Sequence, residues 1–263
     1  MIPENAITEW GSQVPWTAPS QVEQDLVISR ALCAVYNDNF LAQRLAFRGE
    51  TALHRLFLHP QPRYSEDIDL VQIFAEPIKE IMDHLRDALS FLGEPKKVLQ
   101  KANNNTIVYK FPSELPPVVP IKLKVEINCR EHFSVLGFQK IKFHVKNQWF
   151  SDDCEIMTYA LDELVGTKLR ALYQRKKGRD LFDLYRALKS GNLNIEKAIK
   201  CYNKYMEFVV DEPPSKKNFI SNLKIKMRDS DFVNDTTFLL RPNEKFDINE
   251  AFELVMSEFV EHL

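Results

Sequence analysis

The sequence lacks most of the features that assign a chain to a class at a glance. It has only 7 glycines in 263 residues, and none lies in a Walker A loop or a Rossmann fingerprint. Its four cysteines, Cys33, Cys129, Cys154 and Cys201, show no CxxC or other ligand spacing, so they read as free thiols of a reducing compartment. The six histidines form no HExxH pair, which argues against a zinc enzyme, and there is no GxSxG elbow. No apolar run approaches the roughly 20 residues that cross a bilayer. The opening residues, MIPENAITEWGSQVPW, lack the basic n-region and apolar stretch of a signal peptide. A cytoplasmic location with no membrane partner is therefore expected. Net charge is only −2, so any contact with nucleic acid must come from a local patch. With 44% hydrophobic and 27% charged residues, the chain has the composition of one large or two modest globular domains.

Periodicity fills in the outline. Val22, Leu26, Val27, Ala31, Leu32, Val35 and Tyr36 recur at helical steps and predict a helix over 20–45, with Ser20 and Glu23 as its capping box. A short helix over 51–58 stops at Pro60 and Pro62, and SEDIDLVQIF then reads as a strand. A helix over 77–92 follows. Residues 103–111 and 121–131 read as strands joined by PSELPPVVP, and KIKFHVKNQWF as one more. From Tyr159 onward the pattern is helical. The expected organisation is an α/β domain over 1–150 and a mainly helical domain over 151–263, with a cleft between them.

The chemistry-bearing stretch is RYSEDIDLV, residues 63–71. Asp67 and Asp69 are two apart on a strand, so their carboxylates point the same way. Such a pair repels unless a cation lies between, and Mg²⁺ is commonly held by one or two carboxylates plus substrate phosphates. An isolated pair at this spacing is more often two solvated aspartates. Upstream, Gly49-Glu50-Thr51 forms a glycine turn opening a helix, where backbone N–H groups suit phosphate oxygens. Glu126 lies on the polar face of KLKVEINC with two lysines; it is either a cross-strand ion-pair partner or a third carboxylate that takes a proton or holds a second metal. Lys168 interrupts the apolar stripe of Leu164, Val165 and Leu172, so it must snorkel outward or enter a polar cleft. Beyond it, Arg175, Lys176, Lys177 and Arg179 form a basic cluster, solvated or bound to phosphate. Asp180 falls in the first turn of the next helix, and Asp183 pairs with Arg179 at helical spacing.

Together, RGETALHRL, RYSEDIDLV, KVEIN and TKLRALYQRKKGRDLFDLY resemble, in order, the motifs of the AbiEii/AbiGii-type nucleotidyltransferase toxins, which include the mycobacterial MenT toxins. The match is good over residues 45–190 and looser at the ends, where DTTFLLRPNEKFDINEAFELV resembles the family's C-terminal segment. The resemblance implies a nucleotidyltransferase-like mixed β-sheet with flanking helices. It makes Asp67 and Asp69 the ligands of Mg²⁺ (or Mn²⁺) and puts Ser65, with Gly49, Thr51 and Arg175, on the nucleotide. Lys168 would contact the nucleotide too, and Asp180, or alternatively Asp183, would be the last-motif carboxylate. It further implies NMP transfer from an NTP to the 3′ end of tRNA, in a toxin–antitoxin or phage-defence pair with a cognate antitoxin. Glu50 departs from the pattern, standing where the family usually has a second glycine. Rival readings are a small-molecule (aminoglycoside-type) nucleotidyltransferase, a protein-modifying one, and a silent nucleotide- or RNA-binding module.

Overall fold

In the computed structural model, which describes residues 2–210 and 213–263, the chain divides into two units. The first runs through Leu56, then from Tyr64 to Phe133 and from Phe138 to Tyr159; the second comprises Phe57–Arg63, Ser134–Gly137 and Ala160–Leu263.

The first unit contains, in order, α1 (Glu4–Gly11), α2 (Pro19–Asn37), α3 (Asn39–Ala42), β1 (Leu45–Arg48), α4 (Gly49–Leu56), β2 (Asp67–Gln72) and α5 (Lys79–Ala88). Strands β3 (Lys97–Gln100), β4 (Asn104–Pro112), β5 (Pro120–Asn128), β6 (Phe138–Lys146) and β7 (Ser151–Tyr159) complete it. The seven strands form one mixed sheet in the order β3-β4-β5-β2-β1-β7-β6. β2 runs parallel to β5 and antiparallel to β1, which is itself parallel to β7. Alternation buries Leu123, Val125 and Ile127 of β5 completely while Lys124 and Glu126 stay partly exposed. Helix α2 is buried on most sides, with Leu26, Ile28, Ala31, Leu32, Cys33 and Val35 inaccessible. All four cysteines are free thiols.

Three expectations are corrected. The capping box at Ser20 does not form: α2 starts at Pro19, whose fixed φ suits the first helical position, and no side chain caps it. The helix predicted over 20–45 is broken at Asp38, whose carboxylate accepts the backbone N–H groups of Phe40 and Leu41 and starts α3. Strands β3 and β7 are additional. β7 opens on Ser151, Asp152 and Asp153, polar residues that hide the strand pattern, yet it pairs with β6 along its whole length.

Helix α4 is anchored from beneath. Arg55 on α4 gives an N–H to the Asp25 carboxylate at 2.7 Å, and the indoles of Trp10 and Trp16 donate to the same carboxylate, each at 2.9 Å. Asp25 is buried, so this network fixes α4, and with it the Gly49 turn, against α1 and α2.

The second unit is helical: α6 (Leu161–Gln174), α7 (Gly178–Lys189), α8 (Ile195–Glu207), α9 (Lys216–Lys226), α10 (Ser230–Asn234) and α11 (Ile248–Glu258). Gly166 lets α6 and α8 touch, since a Cβ there would lie 2.6 Å from the Ala198 carbonyl oxygen. Buried Glu163 on α6 accepts hydrogen bonds from Ser134 Oγ, from the N–H groups of Val135 and Leu136, and from Tyr205 Oη of α8. Lys226 of α9 donates to the carbonyls of Leu172 and Tyr173, capping the last turn of α6. Among the described residues, no helix is long and apolar enough to cross a membrane.

Candidate active site

The register of the central strands decides which side chains meet. Asp67 lies opposite Lys124, and Asp69 opposite Glu126, on the parallel pair β2–β5; on its other side Asp69 lies opposite Arg48 of β1. Directly opposed residues share a face of the sheet, so Asp67, Asp69, Lys124 and Glu126 form one cluster. The Lys124 ammonium contacts Asp67 Oδ2 at 2.8 Å and Glu126 Oε2 at 2.6 Å. The remaining Glu126 oxygen accepts an N–H from the Asn104 side chain at 3.1 Å. Arg48 is paired with Glu131.

The glycine turn closes on this cluster. Gly49 has φ 78°, a conformation that L side chains rarely adopt. Its Cα also faces Asp69 so closely that an added methyl group would land on that carboxylate, 3.0 Å from Asp69 Cβ. Behind the turn, the Thr51 hydroxyl donates to the Asp67 carbonyl oxygen at 2.6 Å; its one proton spent, it accepts from Ser65 Oγ, also at 2.6 Å. Thr51 and Ser65 are both buried, and these bonds tie the first turn of α4 to the entry of β2. Gly49, Thr51, Ser65, Asp67, Asp69 and Glu126 are thus brought together within the first unit.

Burial is the main force raising the pKa of Asp69, pushing it from 3.8 to about 7, with the charges of Glu50, Asp67 and Glu126 adding and Arg48 opposing. Asp67 is raised for the same first reason, against the opposing bond from Lys124. Burial works against the Lys124 ammonium, but its bonds to Asp67 and Glu126 outweigh it and hold the pKa above the ordinary lysine value. Glu50, the residue in place of a second glycine, therefore adds its charge to the carboxylate cluster. A carboxyl raised in the fold contributes stability that is fully present below its unfolded pKa and lost as pH rises through about 7. Asp69→Asn should accordingly melt above the metal-free wild type at pH 8, by a margin that narrows as pH falls toward 5. Thermal melts in chelator across that range check this, and a gap that shrinks toward pH 8 would reject it.

The remaining sequence candidates belong to the second unit. Lys168 is buried, and its ammonium lies 3.0 Å from Asp180 and 2.9 Å from Asp183. It neither snorkels nor stands alone. Arg175 forks onto Asp180 at 2.7 and 2.8 Å, and Arg63 forks onto Asp183 at 2.7 and 2.8 Å. In place of the expected Arg179–Asp183 pairing, fully buried Asp183 takes the Arg63 fork, and Arg179 forks onto Asp235. A surface pair at that spacing is worth only a few tenths of a kcal/mol, too little to compete with a buried two-pronged pairing. Lys176 and Lys177 face Asp229 and Asp235, so every member of the basic run already has a carboxylate neighbour.

Sequence reading passed over Lys124, Asn104 and Arg63 as site-forming residues. The lysine was visible on the polar face of β5, but its two carboxylate contacts depend on strand register. Arg63 opens the RYSEDIDLV motif and carried no signal of burial.

The donor types suit a hard divalent cation: these side chains offer carboxylate oxygens on one face of β2–β5 rather than sulfur or imidazole, and an ammonium is already drawn between Asp67 and Glu126. Asp67 and Asp69 would hold the ion, with Glu126 beside them.

A search of curated proteins found no match. Among solved structures, MenT4, a nucleotidyltransferase toxin from Mycobacterium tuberculosis, superposes with a TM-score of 0.57 at 12% identity, covering 97% of this chain and 99% of that one. JHP933 from Helicobacter pylori superposes with a TM-score of 0.53 at 20% identity, covering 93% of both chains. These likenesses identify the fold as a nucleotidyltransferase-like mixed sheet with flanking helices. The model of the family described as nucleotidyl transferase AbiEii toxin, type IV toxin–antitoxin system, matches residues 30–260. The chain therefore belongs to the AbiEii family of nucleotidyltransferase toxins of type IV toxin–antitoxin systems.

Proposed function

We propose that this nucleotidyltransferase moves NMP from an NTP onto the 3′ end of tRNA, using Mg²⁺ or Mn²⁺ at Asp67 and Asp69. The observation that supports this reading best is the convergence of Asp67, Asp69 and Glu126 on one face of β2–β5, beside the Gly49 turn. A bound divalent cation would supply charge stabilisation at the α-phosphate and at the leaving pyrophosphate. Glu126 would accept the proton of the attacking hydroxyl as its oxygen bonds to the α-phosphorus and the bond to pyrophosphate breaks. The Gly49 turn would bring backbone close to the phosphates, with Thr51 and Ser65 holding that turn against β2. A cognate antitoxin is the expected partner in the cell.

The test incubates the protein with each of the four α-labelled NTPs, Mg²⁺ and total tRNA. Label at the tRNA 3′ end, with equimolar pyrophosphate, is expected for one preferred NTP. Label on a protein hydroxyl or on a small hydroxylated compound instead would transfer the reading to those acceptors. Binding of nucleotide with no label anywhere would leave a silent binding module.

A further inference from the structure

Lys124 holds an unusual place. Its ammonium contacts one oxygen of Asp67 and one of Glu126, at 2.8 and 2.6 Å, with the Asp67 contact on a carboxylate assigned above to the metal. An ordinary cross-strand pair joins one cation to one anion; here a single cation bridges carboxylates from two strands. The charges of Glu50 and Glu126 bear on both Asp67 and Asp69, and Arg48, which lies opposite Asp69 on β1, is already paired with Glu131.

We propose that Lys124 is the resident counter-cation of this cluster, displaced when a divalent ion loads, so that it sets the metal affinity of the site. This rests on the reading of Asp67 and Asp69 as metal ligands. The half-buried Lys124 ammonium and a divalent ion cannot both sit in contact with Asp67 without strong mutual repulsion in a medium less polar than water. The metal must therefore compete with a tethered cation whose local concentration never falls. The stem of Lys124 is long enough to swing its ammonium off the carboxylates once they are neutralised. Lys124 is thus a positioning residue: it keeps the carboxylates gathered before loading and weakens the metal's hold on them.

The experiment measures Mn²⁺ binding by paramagnetic resonance on the metal-stripped full-length chain without nucleotide. Wild type, Lys124→Met, Lys124→Gln, Lys124→Arg and Asp67→Asn are compared. Lys124→Met and Lys124→Gln should bind Mn²⁺ about tenfold or more tightly than wild type. Lys124→Arg, which keeps the charge, should stay near wild type. The metal-free Met variant should also melt below wild type and recover on adding Mn²⁺. Two neutral variants make the outcome independent of whether one of them folds. Mn²⁺ affinity equal to or weaker than wild type in a folded neutral variant, with Asp67→Asn still losing the ion, overturns the proposal alone. If Asp67→Asn binds Mn²⁺ as wild type does, the metal reading falls and the proposal with it.

Discussion

Asp67→Asn and Asp69→Asn should each cut nucleotidyl transfer by roughly a thousandfold or more, about 4 kcal/mol of transition-state stabilisation, while the protein stays folded. The expectation follows from where the side chains lie. Both belong to β2, whose fold-determining residues are the buried Ile68, Leu70 and Val71 on either side of them. The carboxylates contribute to the polar face alone, and Asp69 is held there at a cost that its raised pKa records. Exchanging either for an amide removes a charge that the cluster already crowds, so stability should not suffer. What goes is the anionic oxygen that a divalent cation needs. Pyrophosphate release, measured beside circular dichroism and a thermal melt, separates the two effects. Wild-type turnover by either variant would mean the cluster is not the site of transfer.

The second large effect is on stability. Asp183→Ala should destabilise the protein by about 3–5 kcal/mol, lowering the melting temperature by roughly 10 °C. Asp183 and Arg63 are both wholly inaccessible, and the guanidinium donates two hydrogen bonds to the carboxylate. Truncation leaves the Arg63 charge buried without this partner, and Lys168 loses its contact with the Asp183 carboxylate. The double replacement Arg63→Met with Asp183→Leu should recover much of the loss, because it removes both buried charges together. Calorimetric melts of the three variants test the pattern. A single Asp183→Ala change that melts within about 2 °C of wild type would contradict it.

These two aspartates show how far the sequence could be read. Asp67 and Asp69 were legible because strand alternation is local: two residues apart means the same face, whatever lies next door. The Gly49 turn and the Pro-rich link between β4 and β5 were legible for similar reasons. The partners of Asp183 were not legible because Arg179 was available at helical spacing, while the guanidinium that forks onto it, that of Arg63, lies 120 residues away. Lys124 could be placed on the right face of β5, but its contact with Asp67 needs the β2–β5 register, which pairs Asp67 with Lys124 across more than fifty residues. β7 was missed because its first three residues are polar and its pairing with β6 and β1 supplies what its own pattern lacks. Local periodicity thus found the strand that carries Asp67 and Asp69, and long-range register determined which charges surround them.

The central claim is that Asp67 and Asp69 carry metal-dependent transfer of a nucleotide to tRNA. Its most direct test is incorporation of α-phosphate label into the tRNA 3′ end by wild type and Asp67→Asn, side by side, with equal amounts of folded protein and Mg²⁺. The account predicts labelled tRNA 3′ ends with wild type and background with the variant. Equal labelling by the two proteins would contradict it.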